Sequence, residues 1–210
     1  MNLKKEIKNQ QVVEENEKVL DLNNVKFILS EYEEDQVLMD LIRKVSQNTE
    51  INRILIISND LISLFSQLMT IFPKAQFYIA NKSSKILESF KDRYKNQNNY
   101  KICILDVFKG VSIHDFIYNN SKFDLVIADK IYSHEKKRKK RYYSINFLYK
   151  FYLKQNGILC LLSHIRNRKK DNSNLLGSIK PILEKTIQVK NENYFVQFIL
   201  YSKKENYLKL

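Results

Sequence analysis

Short runs of branched apolar residues recur along most of the chain, and polar stretches with apolar residues at helical spacing separate them. Such runs are typical of buried β-strands, and the intervening spacing is typical of helices packed on a sheet. The runs that predict strands are 53–58, 76–80, 101–105, 123–128 and 158–163. Because these strands are apolar on both faces, we expect a parallel sheet that helices cover on both sides.

The segments between the strands carry the signals of helices and turns. The helices that these signals predict cover 61–72, 83–95, 112–118, 142–153 and 174–184. Asn59 and Asp60 are positioned to cap the first helix, and Ser83 the second. Residues 155–157 predict a turn at Gly157. At the end of the chain, 186–190 and 194–202 predict a hairpin and therefore one antiparallel strand.

The first fifty residues follow a different pattern. They are polar and acidic, and they show no strand-like run before Val25–Leu29. Residues 34–45 predict an amphipathic helix with an apolar stripe that includes Val37, Leu38 and Ile42. An isolated helix of this length is marginal in water, so we expect the stripe to pack on the domain or on a partner chain. We therefore divide the chain into an acidic, mainly helical extension (1–50) and an α/β domain (51–210).

Composition narrows the class of protein. The chain has 210 residues, of which 44% are hydrophobic, enough for a buried core. No apolar run reaches the roughly 18 residues of a membrane span, and the first residues lack the apolar stretch of a secretory signal. Cys103 and Cys160 lie in apolar runs and predict buried thiols. We expect an intracellular protein, cytoplasmic or nuclear, with no membrane partner and no metal site.

The positive charge is concentrated in one window. The net charge is +13, yet residues 1–50 carry −4, while 130–170 hold thirteen Lys/Arg against the single acid Glu135, a charge of +12. The basic residues form two runs, Lys136, Lys137, Arg138, Lys139, Lys140 and Arg141, then Arg166, Arg168, Lys169 and Lys170.

Both basic runs follow predicted strands that would be neighbours in the sheet, so the two runs should form one patch at the edge where parallel strands end. Tyr132, Tyr142 and Tyr143 flank the first run and could stack on bases. The pattern predicts a nucleic-acid-binding surface that mainly contacts phosphates. The alternative is a solvated loop, or a localisation signal in the first run.

The order of five strand–helix alternations followed by a hairpin resembles the class I S-adenosylmethionine-dependent methyltransferases. The resembling segments are Ala75–Tyr94, Lys101–Asp106, Lys122–Asp129 and Leu153–Cys160. The resemblance implies a Rossmann-like, mostly parallel sheet with a C-terminal antiparallel hairpin, and S-adenosylmethionine as cofactor. It also implies that Asn59 and Asp60 lie in the cofactor loop, Asn81 lies at the ribose, and Asp106 lies near the adenine.

The sequence departs from this family at the most diagnostic positions. Family members place glycines after the first strand, where the backbone approaches the cofactor closely, but here the loop is Ser58-Asn59-Asp60. Asn81 stands where the family has an acid, and an amide lacks the charge-assisted hydrogen bonds of a carboxylate to the ribose. We therefore expect weak or absent binding of S-adenosylmethionine.

Catalytic signals are few. Asp129 ends the fourth predicted strand, where it is a candidate general base or substrate ligand; the alternative is a helix-capping or edge acid. His114, His134 and His164 do not cluster in the sequence, although the last two follow predicted strands. Neither the hydrolase pattern Gly-x-Ser-x-Gly nor a phosphate-binding Gly-x-x-x-x-Gly-Lys loop occurs.

These observations favour an RNA-binding, non-catalytic or divergent subunit of a tRNA or RNA methyltransferase complex, with a catalytic methyltransferase subunit as partner. Residues 182–202 loosely resemble the non-catalytic subunit of the tRNA N1-methyladenosine methyltransferase. One alternative is an active methyltransferase with a divergent loop, in which Asp106 and Asp129 matter most. Another is an aminopropyl transferase related to spermidine synthases, although a cationic rim repels polyamines. A further alternative is an interaction module.

Overall fold

The strands and helices follow the predicted alternation in a computed structural model, which describes residues 28–29, 31–47, 49–109, 122–131, 138–165, 181–189 and 195–203. The strands are β1 (Ile28–Leu29), β2 (Arg53–Ile57), β3 (Gln76–Asn81), β4 (Tyr100–Ile104), β5 (Phe123–Asp129), β6 (Leu153–Ile165), β7 (Leu183–Val189) and β8 (Phe195–Ser202). The helices are α1 (Glu31–Ser46), α2 (Leu61–Ile71), α3 (Ser84–Arg93) and α4 (Arg138–Phe147), and α4 continues into a π-helical turn at Leu148–Tyr152.

The eight strands within the described residues join one sheet, in the order β1-β7-β8-β6-β5-β2-β3-β4. Every pairing is parallel except those of β8, which runs antiparallel to both β6 and β7. The chain adds β3 and β4 on one side of β2, then places β5 and β6 on the other side. This arrangement confirms the predicted Rossmann-like sheet with a C-terminal hairpin, and it places a topological switch point between β2 and β5.

The amphipathic helix of the N-terminal region packs on the sheet, as its apolar stripe predicts. Leu38, Leu41 and Ile42 of α1 are buried in the core, and Val37 and Val45 pack against it. Just before this helix, β1 pairs with β7 at the edge of the sheet. The apolar face of α1 therefore packs on the rest of the chain.

Two apolar layers cover the two faces of the sheet. One face is covered by α1, α2 and α3. There the ring of Phe65 in α2 lies edge-on to those of Phe77, Phe90 and Tyr94, at centroid distances of 5.0, 5.1 and 4.7 Å. Edge-to-face pairs of this kind contribute about 0.5–1.5 kcal/mol each beyond the burial of their area. On the other face, α4 and the π-helical turn pack Ile145, Leu148 and Tyr152 against β5 and β6.

An acid in β5 holds the start of β2. One carboxylate oxygen of Asp124 accepts hydrogen bonds from the backbone N–H groups of Asn52 and Arg53, at 3.1 and 2.8 Å. The other oxygen forms an ion pair with Lys154 at 2.7 Å. Asp124 therefore has a structural role at the amino end of the sheet.

Two local predictions were wrong. The helix expected over 174–184 does not include residues 181–184, because Pro181 and Ile182 are not helical and Leu183 already pairs with Leu200 in the sheet. The turn expected at residues 155–157 is an irregularity inside β6, and Asn156, not Gly157, adopts the left-handed backbone, with φ of 58°. The predicted helix over 112–118 lies outside the described residues.

Candidate functional site

Three polar side chains converge where β2, β3 and β5 end. Ser58 directly follows β2, Asn81 ends β3, and Asp129 ends β5. All three are buried, with exposed fractions of 0%, 3% and 5%. Ligands of open α/β sheets bind at the carboxyl ends of strands beside a switch point, and these three side chains lie at that position.

Ser58 links the two central strands across the switch point. Its hydroxyl donates a hydrogen bond to Oδ2 of Asp129 at 2.5 Å, and it accepts one from the backbone N–H of Asp60 at 2.9 Å. Asp60 occupies the N-cap position of α2, but its side chain makes no capping hydrogen bond, so the predicted capping role of that side chain was wrong. The loop between β2 and α2 is thus held by Ser58.

Asn81 joins the same network with both ends of its amide. Its Nδ2 donates to the carbonyl oxygen of Ser58 at 2.6 Å and to Oδ1 of Asn59 at 3.3 Å. Its Oδ1 accepts a hydrogen bond from the backbone N–H of Ser83 at 2.8 Å. We call Ser58, Asn59, Asn81 and Asp129 the switch-point cluster. Its members bond to one another and to the chain around them.

The thiol of Cys160 lies near this cluster and is fully buried. Burial, and secondarily the nearby carboxylate of Asp129, raise the pKa of Cys160 far above its ordinary range. A thiol that stays protonated is a poor nucleophile, so this shift disfavours Cys160 as a nucleophile. The catalytic role of Asp129 stays a prediction.

Asp106 lies in the loop after β4 and shapes it. Its Oδ1 accepts a hydrogen bond from the backbone N–H of Phe108 at 3.0 Å, and its carbonyl oxygen accepts one from Lys109 at 2.9 Å. The preceding residue, Leu105, donates its backbone N–H to the carbonyl oxygen of Asn81. The loops after β3 and β4 are therefore tied together, and the proposed contact between Asp106 and an adenine stays a prediction.

The described part of the first basic run begins α4. Arg138, Lys139, Lys140 and Arg141 fill the first turn of this helix, and neither α4 nor the π-helical turn contains an acid. Lys139 and Lys140 are exposed. Lys136 and Lys137, together with Arg166, Arg168, Lys169 and Lys170 of the second run, lie outside the described residues, so the merging of the two runs stays a prediction.

Aromatic side chains continue this basic surface along the helix. Tyr143 and Phe151 are 67% and 49% exposed, and the rings of Phe147 and Phe151 lie 4.7 Å apart between centroids. We call Lys139, Lys140, Tyr143, Phe147 and Phe151 the α4 stripe. Tyr143 was predicted to contact bases because it follows the first basic run, whereas no such role was predicted for Phe147 and Phe151. Their four-residue spacing after Tyr143 would have indicated the same helix face.

The histidines form no cluster that the structure describes. His164 lies within β6, half-buried, so the prediction that it follows a strand was wrong. His114 and His134 lie outside the described residues. Within the described ranges, no group of three or more His, Cys, Asp and Glu side chains could hold a metal ion. No described helix is long and apolar enough to cross a membrane.

A shallow apolar groove lies at the far edge of the sheet, between α3 and β4. Its volume is about 390 Å³, and its lining residues are Ser84, Leu87, Glu88, Lys91, Tyr100, Ile102 and Ile104. None of them belongs to the switch-point cluster. The groove is therefore a separate feature of the surface.

The fold is recognisable from similar solved structures and not from similar sequences. No protein-family model matches the sequence, and no curated protein is significantly similar to it. Among solved structures, the N-methyltransferase NodS from Bradyrhizobium japonicum WM9 superposes with a TM-score of 0.64 at 11% identity, over 83% of this chain and 98% of NodS. The chain has the class I methyltransferase fold.

Other proteins with the methyltransferase fold match in the same way. A putative sarcosine dimethylglycine methyltransferase from Galdieria sulphuraria gives a TM-score of 0.59 at 8% identity, over 82% of this chain and 86% of that one. A structure of the fibrillarin/Nop5p complex gives 0.55 at 15% identity, over 78% of this chain and 80% of the matched chain. NodS has also been solved with S-adenosyl-L-homocysteine, so the methyltransferase fold accommodates that type of cofactor.

The residues of this chain are a poor fit for such a cofactor at the switch point. The loop between β2 and α2 holds no glycine, so side chains stand where the methyltransferase fold usually brings bare backbone to the ligand. Asn81, at the end of β3, already uses its amide nitrogen and oxygen in hydrogen bonds to Ser58 and Ser83. The role of Asn81 at a ribose stays a prediction.

Proposed function

We propose that this protein is an RNA-binding, non-catalytic subunit of an RNA methyltransferase complex, with tRNA as the favoured substrate of that complex. The observation that carries the proposal is the switch-point cluster, whose buried side chains Ser58, Asn81 and Asp129 hydrogen-bond to one another and to nearby backbone groups. In this proposal the methyltransferase fold serves as a scaffold that does not depend on bound S-adenosylmethionine. A catalytic methyltransferase subunit would then supply the cofactor site.

Opening the cluster for a ribose would be costly. Asn81 would have to release the carbonyl oxygen of Ser58 and the backbone N–H of Ser83, both of which it now satisfies. Each buried polar group left without a partner costs about 1–3 kcal/mol. An amide would return weaker hydrogen bonds than the carboxylate usual at this position. The balance of these contributions opposes cofactor binding.

The charge distribution supports RNA as the ligand. Window 130–170 carries +12, and the described part of it places Arg138–Arg141 in the first turn of α4 without an acid. The positive end of the helix dipole also lies at this turn, so a bound phosphate would offset both sources of positive potential. A polyanion is the class of ligand that such a surface fits.

The test combines two binding measurements on the full chain. Calorimetric titration with S-adenosylmethionine and S-adenosyl-L-homocysteine should give no binding in the low micromolar range. Fluorescence anisotropy with a labelled tRNA transcript should give binding whose log affinity falls by about 0.7–0.9 per phosphate contact for each decade of salt. The variant Lys91→Gln/Lys95→Gln removes two exposed lysines on and just after α3, outside window 130–170, and should bind tRNA like the parent chain.

Two outcomes would contradict the proposal. Absence of tRNA binding at low salt would remove its RNA component. A low micromolar dissociation constant for S-adenosylmethionine would favour the second candidate, an active methyltransferase with a divergent loop. The retained acids after β4 and at the end of β5, Asp106 and Asp129, favour that candidate and would be its first residues to mutate.

A further inference from the structure

We infer that the α4 stripe is a binding surface for single-stranded RNA, on which bases stack against Tyr143 and Phe151 while Lys139 and Lys140 contact the phosphates. This inference rests on the proposed function and goes further, because it names the form of RNA and the face of the protein that holds it. It moves the contact with bases away from the strand ends and onto the length of one helix.

The exposure of the aromatic rings is the first argument. Tyr143 is 67% exposed and Phe151 49%, while Ile145, Leu148 and Tyr152 of the same helical segment are buried. One face of the segment is therefore buried in the core, while another face exposes aromatic rings to solvent. Large exposed aromatic side chains arranged beside cations are the elements of a stacking platform for nucleic-acid bases.

The π-helical turn is the second argument, because it fixes one of the rings. The ring of Phe151 lies 4.7 Å from that of Phe147, tilted by 35°. Phe147 in turn lies 5.8 Å from Tyr152, which is buried in the core. Phe151 is thus held by a ring that is itself anchored, and an ordered ring loses little conformational entropy when a base stacks on it.

Charge is the third argument, and it selects the partner. The fifteen residues of α4 and the π-helical turn contain five cations and no acid. Lys139 lies one helical turn before Tyr143, and Tyr143 one turn before Phe147, so cations and rings follow one another on neighbouring turns. Because the segment contains no acid among its own residues, its charge is complementary to a chain of phosphates. Paired bases are not available for stacking in a duplex, so the single-stranded form follows.

Variants of the two rings give the direct test, with a fluorescein-labelled oligouridylate as probe. Tyr143→Ala and Phe151→Ala should each weaken binding by about fivefold or more, as expected when one base no longer stacks. Tyr143→Phe and Phe151→Tyr keep a ring and should bind like the parent chain. Lys139→Gln/Lys140→Gln should weaken binding and reduce the slope of log affinity against log salt by up to about 0.7 for each phosphate that is no longer neutralised.

Ile104→Ala is the matched control for removing an exposed apolar side chain, because Ile104 is 63% exposed on β4 at the far edge of the sheet. This variant should bind the probe unchanged. Thermal unfolding of every variant shows whether weaker binding reflects loss of structure. An RNA duplex of the same length should compete less well than the single strand.

The outcomes separate this inference from the proposed function. If the ring variants bind like Ile104→Ala while the lysine variant binds weakly, RNA is held by its phosphates alone; the stripe inference is then wrong and the proposed function stands. If the duplex competes better than the single strand, the inference is also wrong. If the parent chain binds neither oligouridylate nor tRNA, both the proposed function and the inference about the α4 stripe are wrong. The α4 stripe would then be a candidate surface for a protein partner.

Discussion

The switch-point cluster and the α4 stripe use polar groups in opposite ways. In the cluster, Ser58, Asn81 and Asp129 are buried, and they bond to one another and to backbone groups nearby. In the stripe, Lys139 and Lys140 are exposed on a helix that carries no acid. Polar groups of the first kind stabilise the fold, while those of the second kind face solvent. Under the proposed function, the first region does not hold a cofactor and the second binds RNA.

The largest expected effect concerns the thiol of Cys103, whose reactivity reports whether the sheet beside the cluster stays folded in solution. Burial raises the pKa of the Cys103 thiol from its ordinary 9.0 to about 12. Cys103 pairs in register with Ala80, next to Asn81. Because the thiolate is the reactive form, alkylation by iodoacetamide at pH 8 should be about a thousandfold slower for the folded chain than for the chain in urea. Comparable rates in the two conditions would show that this region opens readily.

The same shift predicts a loss of stability in alkali. A thiol whose pKa is higher in the folded state stabilises that state fully below pH 9.0, and the contribution disappears as the pH rises towards about 12. The free energy of unfolding should therefore fall by up to about 1.4 kcal/mol per pH unit in this window because of Cys103. Cys103→Ala, compared with the parent chain in urea titrations at successive pH values, isolates this contribution.

Truncation of the cluster gives the next largest effect. Asn81→Ala should lower the free energy of unfolding by about 2–4 kcal/mol, because the carbonyl oxygen of Ser58 and the N–H of Ser83 both lose a buried partner. Urea denaturation measures this change. Asn59→Ala gives the comparison within the same cluster, because it removes only the 3.3 Å hydrogen bond of an exposed residue and should cost less than about 0.5 kcal/mol. Equal effects of the two substitutions would mean that the buried hydrogen bonds of Asn81 stabilise the fold no more than this exposed one.

The smallest expected effect has the opposite sign and concerns the stripe. Cations in the first turn of a helix oppose the helix dipole, so Lys139→Gln and Lys140→Gln should each raise the free energy of unfolding by about 0.3–1 kcal/mol at low salt. Thermal unfolding at low salt and at about 1 M salt measures the gain, which the high salt should abolish. Lys150→Gln, in the last turn of the same segment, should give no gain. A loss of stability in the first two variants would mean that these lysines serve the fold rather than a ligand.

The sequence alone predicts most of the sheet, because the central strands are continuous apolar runs that only a covered parallel sheet can bury. The prediction failed at β7, where Leu183 and Glu184 were expected to end a helix. Nothing local distinguishes the two states there, since the pairing of Leu183 with Leu200 forms across residues distant in the chain. Non-local pairing of this kind overrides local propensity.

The candidate site was only partly visible in the sequence. The absence of glycine after the first strand and the amide at position 81 can be seen from individual residues of the sequence. The hydrogen bond from Ser58 to Asp129 joins residues 71 apart, so no local pattern shows it. Phe151 escaped notice because the predicted helix ended near it, and its exposure depends on how the segment meets the sheet.

The π-helical turn at Leu148–Tyr152 connects α4 to β6, so it determines how α4 is rotated about its own axis relative to the sheet. A residue advances about 100° around an α-helix, so an added or deleted residue in this turn would rotate α4 by that angle relative to β6. Tyr143 would then leave the surface on which Phe151 is held, and Ile145 would leave the core. A π-helical turn closes its hydrogen bonds over five residues instead of four, so it accommodates one more residue than an α-helical turn. One residue in this turn therefore decides which side chains of α4 face the core and which face solvent.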